Sequence, residues 1–336
     1  MPAPPNCRPR CARCRARHTE VDWARDGRDW PHHAHSRFVL SAGRRWHVQQ
    51  WPAPSVHAPQ LLLLHGTGAS THSWRHLAPL LAPRAGVVAV DLPGHGFSDA
   101  ARGDGATLPG MARGVAALLR EIGVEPSVLI GHSAGAAIAV RLALDDAAGP
   151  ASIISLNGAL LPLHGLAGQL FLPLARLLAS NPLVPRLFAR RADDESRVRR
   201  LVAGTGSRID EAGIALYRRL VGDPAHVAGA LAMMANWDLR TLAAELPRLH
   251  VPLQLLAAEG DRTLPPAHAR RVGELLPQAG LTLLPGLGHL AHEEDPQRVF
   301  EVLWPLVEQH HAAAMPPNPE DAAASLGYAV RDMPQR

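Results

Sequence analysis

Ser133, Asp261 and His289 lie far apart in the chain, yet their types and order are those that nucleophilic acyl transfer requires. A serine hydroxyl is a weak nucleophile at neutral pH and needs a base to take its proton. Ser133 is the centre of Gly131-His132-Ser133-Ala134-Gly135. On its own a Gly-x-Ser-x-Gly pentapeptide is a weak signal, but its flanks strengthen it. The apolar run 126–130 before it reads as a buried strand, and 136–143 after it reads as a helix. A serine on such a strand-to-helix turn is lifted clear of the sheet, and the glycines allow the tight backbone approach.

The acid and the base are expected later, in that order and at strand ends. The strand-like run Leu253–Ala258 is followed by Glu259-Gly260-Asp261-Arg262-Thr263-Leu264-Pro265, which makes Asp261 the candidate acid. The last strand-like run, Leu281–Leu284, is followed by Pro285-Gly286-Leu287-Gly288-His289, which makes His289 the candidate base. Glu259 is the rival acid and His292 the rival base. Asp91, in Asp91-Leu92-Pro93-Gly94-His95-Gly96, also ends a strand but comes too early and reads as a structural residue of its turn. Asn157 ends the strand after the serine, where some hydrolases keep an acid, a role that asparagine cannot fill. A tetrahedral intermediate needs two preset amide donors for its oxyanion. The Ala134 amide is one candidate; the Thr67 amide, in His65-Gly66-Thr67-Gly68, is the other.

Positioning these residues takes a sheet. Phe38–Leu40 and Arg45–Trp51 read as an opening hairpin turning at Ser41-Ala42-Gly43. Leu61–Leu64 and Val87–Val90 are continuous apolar runs, the pattern of strands covered on both faces. Helical patterns at Trp74–Leu81, Pro109–Leu119, Pro266–Leu276 and Pro296–Gln309 alternate with strands, including Ala151–Leu156. That alternation predicts an α/β fold with a mostly parallel, doubly wound sheet. It breaks from about Ala159 to Leu249, where Gly165–Ala179, Asp193–Val202, Asp210–Val221 and Ala225–Trp237 read as helices. This stretch is expected to be a helical cap over the carboxyl edge of the sheet. The expected units are a leader (1–20), a core (21–158 and 250–310), a cap (159–249) and a loose tail (311–336).

Composition excludes some function classes. Apolar residues make up 47% of the chain and charged residues 19%, which fits a globular domain. The net charge of +4 lies in residues 1–20, where five arginines face Glu20; the rest balances at 29 basic and 29 acidic residues. A neutral body lacks the cationic face that nucleic-acid binding needs. All three cysteines, Cys7, Cys11 and Cys14, lie in the leader. Their spacing matches a cluster-binding loop, but no strand surrounds them, and the leader reads as a disordered extension. The cysteine-free body fits a reducing cytoplasm. No apolar run is long enough to span a membrane, and no secretory signal is present. The apolar cap, with Leu170, Leu174, Leu177, Leu183, Leu187 and Phe188, packs on the core, roofs an apolar ligand or touches a membrane from outside.

These loops resemble the α/β-hydrolase superfamily over about residues 37–310. Longer strings carry a narrower resemblance: Asp22-Trp23-Ala24-Arg25-Asp26-Gly27-Arg28-Asp29-Trp30-Pro31, residues 65–74, residues 131–137, residues 156–162 and Met233-Met234-Ala235-Asn236-Trp237-Asp238-Leu239. They are similar to the BchO family, α/β-hydrolase-type accessory proteins of magnesium chelatase in bacteriochlorophyll biosynthesis. The resemblance implies a cytoplasmic protein of phototrophic bacteria that acts around magnesium insertion into protoporphyrin IX. A porphyrin ligand and a chelatase partner are expected on the same ground; no cofactor is expected. The family-like text begins at Val21, so translation is expected to start there, from an alternative codon read as methionine. Three functions remain open at this point: a serine hydrolase cleaving an ester or acyl bond, a porphyrin-binding or chelatase-supporting module, and a general carboxylesterase or haloperoxidase-like enzyme.

Overall fold

The computed structural model describes residues 21–162, 165–191 and 194–314. The leader with its three cysteines and residues 315–336 of the expected tail lie outside the described residues.

Strands β1 (Ser36–Ser41), β2 (Arg44–Trp51), β3 (Gln60–Leu64), β4 (Gly86–Val90), β5 (Val128–His132), β6 (Ser152–Leu156), β7 (Leu253–Ala258) and β8 (Gly280–Leu284) form one sheet. Its order is β1-β2-β4-β3-β5-β6-β7-β8. The expected hairpin is present as β1 and β2, and β2 meets β4 antiparallel; every later pairing is parallel. From β3 the chain moves outward to β4, then crosses back to β5 on the other side. The order therefore reverses between β3 and β5. The crevice beyond their carboxyl ends is where open α/β sheets bind ligands.

Both sheet faces are covered, which is why the strands read as unbroken apolar runs. Successive side chains alternate between faces. Leu61, Leu63, Val128 and Ile130 pack with Trp74, Leu77, Leu81, Val299 and Leu303. Leu62, Leu64 and Leu129 pack with Met111, Val115, Leu118, Ile138 and Leu142 on the other side.

A short helix α1 (Trp23–Asp26) precedes the sheet, and α2 (Leu77–Leu81), α3 (Leu108–Ile122) and α4 (Ala134–Leu144) follow β3, β4 and β5. The helix expected from Trp74 instead starts at Leu77. Residues Thr71–Trp74 form a 3-10 turn in which the Ser70 side chain accepts the His72 amide. The cap comprises α5 (Gly165–Ser180), α6 (Leu183–Arg191), α7 (Glu195–Gly204), α8 (Glu211–Val221), α9 (Pro224–Ala235) and α10 (Arg240–Glu245). Asp194, Asp210 and Asp223 start α7, α8 and α9, each accepting an amide of the first turn. Helix α6 went unread because Pro185 interrupts its pattern, yet a proline in the first turn removes no helical hydrogen bond. After β7 come α11 (Pro266–Leu275), α12 (Ala291–Glu294) and α13 (Pro296–Ala314). Helix α13 runs past His311, where the loose tail was expected to begin.

Candidate active site

The serine of the pentapeptide stands at the end of β5 with φ 51° and ψ −117°. That left-handed region is costly for a residue with a Cβ, typically about 1–3 kcal/mol, and persists only where surroundings enforce it. Here the Ser133 amide donates to the Leu156 carbonyl (3.0 Å), and the Ser133 carbonyl accepts from Ala136 (3.1 Å) and Ala159 (2.9 Å). The two glycines are needed for contact: a Cβ at Gly131 would overlap the Ala136 backbone, and one at Gly135 the Leu64 carbonyl. The turn is thus compressed between β3, β6 and its own helix. Ser133 is half-buried, and its hydroxyl makes no hydrogen bond among the described residues.

The other two candidates meet. His289 Nδ1 lies 2.7 Å from Asp261 Oδ2, with both side chains almost wholly buried. Asp261 Oδ1 accepts the amides of Thr263 (2.7 Å) and Leu264 (2.8 Å), which anchors the carboxylate to its own loop. The rivals do not occupy these places. Glu259 is exposed, and His292 points its Nε2 at Ser73 Oγ (2.8 Å). The loop bearing His289 is tied to the serine turn through His132, whose Nε2 donates to the His289 carbonyl (2.9 Å). Burial, with His292 and His289 nearby, holds the His132 imidazole far below its ordinary pKa. It stays neutral, so no second cation opposes charge that develops on His289.

The His65–Gly68 loop presses on the same turn: a Cβ on Gly66 would sit 3.0 Å from Ser133 Cβ. Thr67 Oγ1 donates to Met233 Sδ (3.4 Å), and the Gly68 carbonyl accepts from His226 Nε2 (3.1 Å). Both partners belong to α9, so the cap grips the loop that carries one candidate oxyanion donor. The Ala134 amide is the first of α4 and, like other first-turn amides, has no partner within its helix.

Sequence reasoning missed three sets of residues that hold this arrangement. Asn157 donates through Nδ2 to the His289 (2.9 Å) and Gly288 (3.2 Å) carbonyls and accepts the Ala258 amide (2.7 Å). It joins the ends of β6 and β7 to the His289 loop. The turn between α7 and α8 is the second: the Thr205 carbonyl accepts from Arg262 (3.0 Å) and His289 (3.4 Å), and Ser207 Oγ from Leu290 (2.8 Å). The third is a buried cluster in which Glu293 accepts from Ser73 (2.6 Å), Tyr217 (2.8 Å) and Arg75, while Arg75 also pairs with Asp210 (2.7 Å). Tyr217 and Asp210 belong to the cap, and no local pattern marks any of these partners.

A second set has the same connectivity. His47 Nδ1 lies 2.7 Å from Asp91 Oδ2, and His47 Nε2 lies 3.0 Å from Ser36 Oγ. Burial would raise the Asp91 pKa, but His47 and the Phe97 amide hold it well below the carboxylate range. The rings of Trp23, Phe38 and Phe97 enclose His47, and Ser36 Oγ is also held by Gln49 (3.2 Å). Asp91 further accepts the Thr71 amide (2.7 Å). This set ties turns together, and its histidine and aspartate are fully buried.

The sheet order and the strand-end serine define a class. Residues 61–302 match the family model described as "Alpha/beta hydrolase family", and the chain belongs to that family. The narrower resemblance read from the sequence is also shown. The chain is 40% identical over 266 residues to the Magnesium-chelatase 30 kDa subunit of Rhodobacter capsulatus, covering 79% of this chain and 92% of that protein. Among solved structures, an alpha/beta hydrolase fold protein from Burkholderia ambifaria superposes with a TM-score of 0.66 at 23% identity, over 80% of this chain and 96% of that one. A thermophilic esterase from Thermogutta terrifontis gives 0.64 at 22% identity, over 82% and 99%. At those identities the two structures establish the fold alone.

Proposed function

We propose that the chain is a serine hydrolase of bacteriochlorophyll biosynthesis, accessory to magnesium insertion, that cleaves an ester or related acyl bond. One observation carries the reading: His289 and Asp261 form a buried pair, and the loop bearing His289 is tied to the strained Ser133 turn. Ser133 Oγ attacks the acyl carbon as His289 Nε2 takes its proton, and Asp261 holds the imidazole in the tautomer that can accept it. The amides of Ala134 and Thr67 bind the oxyanion. Collapse expels the alcohol, which leaves with the proton from His289, and an acyl group stays on Ser133. Water then enters where the alcohol left, gives a proton to His289 and attacks the acyl carbon; collapse breaks the bond to Ser133 Oγ, which takes that proton back as the acid leaves. The pathway assignment rests on the likeness to the chelatase subunit.

A fluorophosphonate probe tests this directly. Labelling at Ser133 that vanishes in Ser133→Ala, with Ser36 unlabelled, is the expected result. No adduct on folded protein removes the hydrolase reading. The second reading is a non-catalytic module that holds a porphyrin or supports the chelatase. It is favoured by the Ser133 hydroxyl having no hydrogen bond to His289. Its signature is rescue of pigment synthesis by Ser133→Ala in a deletion strain, together with binding of protoporphyrin by purified protein.

A further inference from the structure

Over residues 173–190, whose side chains are described, α5 and α6 turn several large apolar residues outward. Among the described side chains of α5 and α6, those fully buried are Ala175, Pro185 and Ala189. Leu174, Leu177, Leu183, Leu187 and Phe188 are instead 54%, 67%, 64%, 46% and 42% exposed. A surface helix of a water-soluble protein places its large apolar residues inward, against the core. One exposed leucine needs no explanation, whereas several on two helices that pack against each other do. Both helices also pack on α9, whose His226 and Met233 grip the His65–Gly68 loop.

Charge says what covers them. Residues 165–191 hold Arg176, Arg186, Arg190 and Arg191 and no acidic residue, while the rest of residues 21–336 holds 25 basic and 29 acidic residues. On α6, Leu183, Arg186, Leu187 and Arg190 follow the three- and four-residue spacing that brings side chains to one side of a helix. Arginine stems lie along apolar surface while their guanidinium groups reach toward anionic headgroups. A second copy of the chain would set cation against cation. No described helix is long and apolar enough to cross a membrane, so any contact is interfacial. We propose that α5 and α6 form a peripheral docking surface for an anionic lipid bilayer, with the leucines and Phe188 entering the acyl boundary. The proposal stands apart from the hydrolase reading, since it uses none of Ser133, Asp261 and His289.

Co-sedimentation of the full chain with phosphatidylglycerol-containing and pure phosphatidylcholine vesicles tests it. Binding to the anionic vesicles is expected to be at least about tenfold tighter and to weaken with salt. The triple variant Leu177→Ser, Leu183→Ser, Leu187→Ser should lose about tenfold or more. Arg186→Ala with Arg190→Ala should remove most of the preference for anionic lipid, and Ser133→Ala should bind as the unaltered chain does. All substituted side chains are exposed, and matching thermal melts confirm that the variants fold. The proposal falls if the unaltered chain ignores both vesicle types or binds them equally. It also falls if the triple variant binds unchanged, or if light scattering shows a dimer that this variant dissolves.

Discussion

At the scale of single residues, the candidate site is held by side chains outside the Ser133, Asp261 and His289 set. Asn157 is the clearest: one side-chain amide spans the Ala258 amide and the carbonyls of Gly288 and His289. Asn157→Ala strands these buried groups and should cost about 2–4 kcal/mol of stability, by the usual penalty for unpaired polar atoms. It should also cut turnover more than it changes KM, because the His289 loop loses its support. Denaturant melts with steady-state kinetics on an ester substrate check both, and unchanged kcat would remove the positioning role. Ser133, Asp261 and His289 were legible because each follows an apolar strand-like run in a turn. Asn157, Ser207 and His226 were not, because their partners are backbone atoms brought close only by the fold. The Asp91 turn was readable as structural, but its partner His47 was not, since the pairing crosses from β2 to the end of β4.

The elements divide between sheet and cap. Alternation of strand and helix made the sheet readable, and both-face burial explains why. Four of the six cap helices were readable, but not their arrangement, since amphipathic helices do not encode which neighbour they meet. One close approach to the core is backbone on backbone. Gly94, at φ 77°, faces Gly229 of α9, and a Cβ on Gly94 would lie 2.9 Å from the Gly229 Cα. A Cβ on Gly229 would overlap the Gly94 carbonyl. Gly229→Ala should therefore push α9 off the Asp91–Gly96 turn and loosen Met233 and His226 from the Thr67 loop. The expected outcome is at least about a tenfold fall in turnover, in line with losing part of an oxyanion donor's placement. Hydrogen exchange should quicken in α9 before it does so in β3 to β6. Equal loss of protection in sheet and cap would contradict this.

For the molecule as a whole, the buried histidines set a pH limit. Burial is the main cause in each case, and it lowers His65 to about 4 and His95, His226 and His292 to about 3, from an ordinary 6.5. The unfolded chain takes up these protons near pH 6.5 while the folded one refuses them. Below that point the unfolded state binds more protons, so stability falls as pH falls; above it these groups contribute no slope. Each can withdraw up to about 1.4 kcal/mol per pH unit, and a few together rival the ~5–15 kcal/mol that stabilises a typical domain. Thermal melts between about pH 8 and pH 4 should be flat at the alkaline end and drop steeply below about 6.5. A midpoint that stays level to the acid end would refute the neutral-histidine account. The turn Thr205-Gly206-Ser207 has a consequence for engineering. Because it is wedged between the loops of Asp261 and His289, the insertion should not behave as an exchangeable selectivity module if the proposed hydrolase reading holds. A chimaera that borrowed a homologue's whole lid would disturb the reaction centre along with substrate choice, whereas one that kept this inner turn from the host would alter choice alone.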